Sequence, residues 1–157
     1  KGLATLIQAA AELHEDIHVV IAGECYGSWK PYDKLIQSSA AASRIHVLNE
    51  YIPDSELPYV FGASDLVVLP YLNASQSGVT ATAVHYNLPI VASDVGDLSA
   101  TIVPGVTGEL VTPGSSKELA KAINGWIDAK HTPEGLLPAY AAIRKTNSWK
   151  AFAENLV

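Results

Sequence analysis

The chain has a single cysteine, no methionine, no clustered cations and no long apolar run. A lone Cys25 excludes an intramolecular disulfide framework and a cysteine-built zinc site, and makes a reducing, cytoplasmic setting the expectation. No stretch approaches the roughly 20 apolar residues a membrane helix needs, and no cationic start leads into an apolar core as in a signal peptide. Ten Lys and Arg stand against 16 Asp and Glu for a net charge of −6. The cations are scattered, so no nucleic-acid or membrane-surface partner is expected. The missing methionine, and an opening on Lys1-Gly2 directly before a helical pattern, imply a piece of a longer protein.

What is present alternates in period. The 157 residues suit one domain, 1–157. Leu3, Leu6, Ile7, Ala10 and Leu13 keep the three-four spacing of one helix face between Gly2 and Asp16. "IHVVIA", Ile17 to Ala22, is β-branched and too short for a helix, so it reads as a buried parallel strand. Pro31 suits the first turn of the next helix, which carries Leu35 and Ile36, and "RIHVLN" follows as a strand. Asp54 and Ser55 are candidate caps for a helix through Phe61. "DLVVLPY", a helix over Gly78 to Asn87, "LPIVAS", a helical turn near Leu98 to Val103 and "ELVT" complete the alternation. Ser115 with Glu118 makes a capping box for a helix with apolar face Leu119, Ile123, Trp126 and Ile127. Thr132 and Pro133 start another helix, and Trp149, Phe152 and Leu156 mark an amphipathic last one.

Five strands separated by helical crossovers imply an α/β fold, a doubly wound parallel sheet covered on both faces. Such folds bind ligands at the carboxyl ends of their strands. The loops to watch are therefore Gly23 to Lys30, Glu50 to Pro53, Tyr71 to Ser77 and Ser93 to Asp97. In the third, "SQSG" leads into a helix that opens on Gly78. Its free backbone N–H groups and positive dipole end face the strand end, and hydroxyls of Ser75 and Ser77 add donors, which suits a phosphate or diphosphate. An ordinary capped helix with small residues for close packing has the same composition.

The order of motifs carries more than any one of them. It runs "YIPDSE", "ASDLVVLPY", "SQSGV", "PIVASDVG" and "GVTGELV", with "KGLATLI" and "IAGE" ahead of them. In this order the chain resembles the C-terminal, nucleotide-sugar-binding domain of family 4 glycosyltransferases of the GT-B fold, over nearly its whole length. The resemblance implies a nucleotide diphosphate sugar as donor, transfer to an acceptor hydroxyl with retained configuration, and no metal or other cofactor. It places an acceptor-binding domain N-terminal to this chain, so the fragment alone is expected to bind without turnover. Any membrane contact would then be peripheral and come through that absent domain.

Roles follow one residue at a time. Lys1 matches the lysine that contacts the donor diphosphate, where a cation offsets charge on the leaving group. Gly23 and Glu24 fall near the diphosphate and sugar, and Tyr51 and Ile52 fall where backbone groups meet the nucleobase. Ser75, Gln76, Ser77, Gly78 and Val79 match the loop and helix start that hold phosphate and sugar hydroxyls. The family's frequent pair of glutamates falls on Ala74 and Thr82; Thr82 keeps a hydroxyl for the ribose, a weaker acceptor than a carboxylate. A third acidic position is Ala100, and the second glycine of the "V-G-G" turn is Asp97. These departures leave two other readings open: a non-catalytic Rossmann-like scaffold or regulatory module, and a GT-B sugar-nucleotide epimerase.

Other candidates are weaker. The five histidines lie one per element, without metal-ligand spacing. Cys25 reads as a partly buried thiol, Asp94 and Asp97 as sugar contacts or Asx turns, and Trp126 and Trp149 as core. The family fold also has a strand before Lys1, beside Ile17 to Ala22. Its place in the sheet is expected to be open here, a route to self-association through unpaired strand edges.

Overall fold

The computed structural model describes residues 1–75, 77–129 and 133–146. Thr132, the expected helix at Trp149, Phe152 and Leu156, and Gln76 lie outside them; the helix expected from Thr132 and Pro133 is described from Pro133. In chain order the described elements are α1 (Leu3–Ala10), β1 (Val19–Ala22), α2 (Lys30–Ser38), β2 (Ile45–Leu48), α3 (Leu57–Gly62), β3 (Val67–Leu69), α4 (Gly78–His85), β4 (Ile90–Ser93), β5 (Gly108–Val111), α5 (Ser116–Asp128) and α6 (Pro133–Thr146). Two 3₁₀ turns, Ala42–Arg44 and Gly96–Ala100, precede β2 and follow β4.

The apolar runs become parallel strands, as β-branched residues without helical spacing should. β1 pairs β2 with Val19 opposite Ile45, β3 pairs β4 with Val67 opposite Ile90, and β4 pairs β5 with Ile90 opposite Gly108. All of β4 is buried, and its alternate side chains go to different layers. Val91 packs among Leu6, Ile7 and Leu119 on the α1–α5 side, whereas Ile90 and Ala92 pack among Val84, Leu98 and Tyr140 on the α4–α6 side. That two-sided burial is the doubly wound arrangement the alternating pattern implies. Trp126 is core, as its helical spacing indicates.

One continuous sheet is not what forms. Among the described residues the strands make two separate parallel sheets, β1–β2 and β3–β4–β5. Between them lies a cavity of about 690 Å³, walled by Ile17 to Val20 on one side and Asp65, Leu66 and Val68 on the other. The expected open strand position beside β1 is this gap, where the facing edges of β1 and β3 have no ladder partner among the described residues.

Several boundaries differ from expectation for local reasons. α1 stops at Ala10 rather than Asp16, because Glu12 N–H donates to Ala9 O and Leu13 N–H to Ala10 O in tightened i to i−3 bonds. Arg44, 34 residues away, then takes up the chain's carbonyls, donating to Ala10 O, His14 O at 2.9 Å and Ile17 O at 2.8 Å. A cation at this helix end also meets the negative pole of its dipole. β1 accordingly starts at Val19, not Ile17. α3 is preceded by Glu56, with no side-chain cap from Asp54 or Ser55. The turn after β4 sits at Gly96–Ala100 rather than over Leu98 to Val103.

α5 opens as its sequence indicates: Glu118 N–H donates to Ser115 Oγ at 3.3 Å. The Glu118 carboxylate accepts not from Ser115 but from Thr112 N–H at 2.9 Å, and that bond holds its carboxyl below the ordinary value. Tyr140, fully buried, donates to the carbonyls of Leu88 and Thr107 and so ties α6 to the starts of β4 and β5. Burial pushes its phenol up, so it stays protonated as a donor.

Arg44→Ala should lower unfolding stability by about 1.5–3 kcal/mol, because charge-assisted bonds to several carbonyls are lost together. Arg44→Lys, lacking the guanidinium fork, should recover only part of it. Urea midpoints at constant slope measure both, and an unchanged midpoint in the alanine variant would show that water replaces Arg44 at no loss.

Candidate anion site at the carboxyl ends of the strands

Parallel strands with returning helices bring every strand's carboxyl end to one rim. The loops after β1 and β2 are joined there: Gly23 N–H donates to Leu48 O at 3.0 Å, and Cys25 N–H to Asn49 Oδ1 at 3.0 Å. Glu24 and Tyr51 are exposed on this pair of loops, while Gly23, Cys25 and Ile52 are half-buried.

The loops after β3 and β4 form the second part. Lys1 lies against it, its Nζ 4.1 Å from the centroid of the Tyr71 ring. Gly2 makes that approach possible. It takes a left-handed conformation with φ of 76°, and a Cβ there would collide with the carbonyl oxygen of Pro70. Tyr71 is buried at the end of β3, and its hydroxyl lies 3.4 Å from Ser77 Oγ. One line of contacts therefore joins the Lys1 ammonium to the start of α4. Tyr71 had no place among the residues singled out from sequence; the only signal was an aromatic closing an otherwise aliphatic strand.

The loop from Tyr71 to Ser77 is held in shape by the turn after β4. Asp97 N–H donates to Ser75 O at 3.1 Å, and Gly96, with φ of 54°, packs directly on the carbonyls of Ala74 and Ser75. A side chain at Gly96 would strike that backbone, which is why the "DVGD" turn has glycine there.

α4 begins on this platform with its N-terminus bare. Ser77 is the N-cap residue in extended conformation, yet its side chain makes no capping hydrogen bond. Thr80 N–H donates to Ser77 O, whereas the N–H groups of Gly78 and Val79 have no acceptor among the described residues. Gly78 and Val79 are exposed. Two donors at the positive end of an eight-residue helix thus face outward with a lysine nearby, the electrostatics of an anion site. Thr82 spends its proton inside the helix, Oγ1 donating to Gly78 O at 3.1 Å, which leaves only its lone pairs for another group.

The structure therefore links Lys1 through Tyr71 to Ser77, which directly precedes Gly78 and Val79, with Ser75 bracing the loop. It places Gly23, Glu24, Tyr51 and Ile52 on the neighbouring loop pair. Gln76 lies outside the described residues. No group of three or more His, Cys, Asp or Glu gathers as a metal cluster among the described residues. The histidines are not all solitary, however. Parallel pairing of β1 and β2 brings His18 Nδ1 within 2.9 Å of His46 Nε2, their rings inclined by 15°. Spacing along the chain cannot reveal a pair made across strands.

The profile described as "Glycosyl transferases group 1" matches residues 1–129. The chain belongs to that family. A D-inositol 3-phosphate glycosyltransferase of Corynebacterium diphtheriae is 31% identical over 164 residues, covering 99% of this chain and 38% of that protein. Among solved structures, Anabaena HepE in complex with UDP superposes with a TM-score of 0.84 at 25% identity, over 97% of this chain and 44% of that one. The C-terminal domain of LpcC, a group 1 family protein of Francisella tularensis, superposes with a TM-score of 0.80 at 20% identity, over 94% and 79%. Group 1 membership bears out the family resemblance, and the superposition on HepE bears out the fold class. The chain spans about two-fifths of the length of such curated relatives.

Gly2→Ala should cost about 1–3 kcal/mol, from strain at positive φ and collision with Pro70, and should move the Lys1 ammonium off Tyr71. Thermal unfolding and the Tyr71 ring resonances report the two effects. Unshifted Tyr71 resonances in the variant would mean that the lysine does not need glycine behind it.

Proposed function

We propose that this chain is the donor-binding domain of a retaining group 1 glycosyltransferase, binding a nucleotide diphosphate sugar. The observation that carries the reading is the uncapped start of α4, with the N–H groups of Gly78 and Val79 unpaired among the described residues and Lys1 linked to that helix start through Tyr71 and Ser77. The diphosphate lies on those amides. As the glycosidic bond breaks, negative charge grows on the diphosphate, and the helix dipole and the Lys1 ammonium stabilise it there. Backbone groups at Tyr51 and Ile52 meet the nucleobase, and Gly23 and Glu24 border the diphosphate and sugar. A second domain, N-terminal in the intact protein, holds the acceptor hydroxyl and closes the cleft over the donor. UDP in the HepE structure supports a nucleotide as the ligand class.

A scaffold without donor binding is the second reading, favoured by Ala74, Thr82 and Ala100 at the family's acidic positions. Titration separates the two. Millimolar UDP, GDP or ADP should shift the amide resonances of Gly78 and Val79 in the full chain, and added salt should weaken the effect. Ser77→Asp places a carboxylate over the same amides: it should stabilise α4 by about 0.5–1 kcal/mol and abolish the nucleotide shifts. Resonances unmoved by all three nucleotides would leave the scaffold standing.

A further inference from the structure

Parallel pairing of β1 and β2 puts Val20 opposite His46. His18 lies two residues before Val20, so it shares the face of Val20 and stands diagonal to His46. That face is open: both histidines are exposed, as are Val20 and Leu48. His18 Nδ1 is 2.9 Å from His46 Nε2, while the ring centroids are 5.2 Å apart and the ring planes are inclined by 15°. The centroid separation exceeds the nitrogen separation by about twice the radius of an imidazole ring, so the two nitrogens face each other along the line of centres. The rings meet edge to edge, and the contact is a hydrogen bond.

Such a bond needs one nitrogen to donate and the other to accept, so one lone pair already points across the strands and the second is one tautomer away. Two ligand atoms at right angles, each about 2.0–2.1 Å from an ion, are about 2.9 Å apart. The nitrogen separation thus matches one edge of an octahedral or square-planar coordination shell, and an in-plane swing of the two exposed rings turns both nitrogens onto one ion. The shared proton then moves to the outer nitrogen of its own ring, where water accepts from it, and none is released. The surrounding charges permit a dication. Arg44, the neighbouring cation, is committed to the carbonyls of His14 and Ile17, and the Asp16 and Asp65 carboxylates line the cavity that His18 borders.

We infer that His18 and His46 form a two-imidazole site for a divalent transition ion that takes nitrogen ligands at right angles, of the Ni²⁺ class, with water completing its shell. One ligand comes from each chain segment, so the ion clamps β1 to β2 at their amino ends. The candidate anion site lies at the opposite, carboxyl ends of the strands, and the inference is independent of the donor reading.

The test adds Ni²⁺ to the full chain at about pH 7.5, where ordinary imidazoles are neutral. Substoichiometric Ni²⁺, which is paramagnetic, should broaden the ring resonances of His18 and His46 before those of the other three histidines. His18→Ala and His46→Ala should each weaken Ni²⁺ binding about 30-fold, because the second imidazole, held in place by its strand, is then lost. His46→Gln, which keeps a polar side chain in β2, should weaken it equally. Ni²⁺ should also raise the unfolding temperature of the parent and not of these variants, and Mg²⁺, which takes oxygen ligands, should raise neither. Simultaneous broadening of all five histidines overturns the inference. So does a loss of less than about threefold in either alanine variant, or a stabilisation by Mg²⁺ equal to that by Ni²⁺.

Discussion

Strand β4 is buried on both faces, and the positions of the other parts follow from that burial. Ile90 and Ala92 hold one helical layer and Val91 the other, so α4 with α6 and α1 with α5 are packed against opposite sides of one strand. Such burial removes most of the surface of the run "PIVAS" from water, and it leaves the loops at its carboxyl end no room to drift. The turn after β4 then reaches across to Ser75, and the loop before α4 takes its shape from that contact. The geometry of the candidate anion site is thus a consequence of core packing, transmitted through a hydrogen bond and a glycine.

The contrast between the two helix starts shows how local chemistry is overridden. Ser115 and Ser77 are both serines at an N-cap, both in extended conformation. Ser115 Oγ accepts from the backbone of its own helix, whereas Ser77 Oγ lies beside the Tyr71 hydroxyl and leaves its helix uncapped. One start is closed for stability. The other keeps donors available at some loss of helix stability, which is the pattern expected where a ligand completes the structure.

The division into two sheets is the main structural weakness. Each half has parallel pairing and its own apolar contacts, yet the inner edges of β1 and β3 face a cavity rather than each other. α1 and α5 bridge the halves on one side, and Arg44 ties the β2 side to the end of α1. These contacts keep the carboxyl ends on a common rim despite the break.

The sequence by itself determined which described segments are helices and strands, that the strands are parallel, and which loops meet at their carboxyl ends. Those properties follow from short-range periodicity and connection length, which any ten or fifteen neighbouring residues express. Resemblance in motif order added the family. Only the tertiary structure decided that Lys1 rests on Tyr71, that α4 is uncapped while α5 is capped, that the buried Thr80 hydroxyl has no partner among the described residues, and that His18 meets His46. Each of these depends on groups brought together by packing from distant parts of the chain. Side-chain hydrogen bonding is a competition among the partners that folding supplies, and the linear order of residues does not say which of them will arrive.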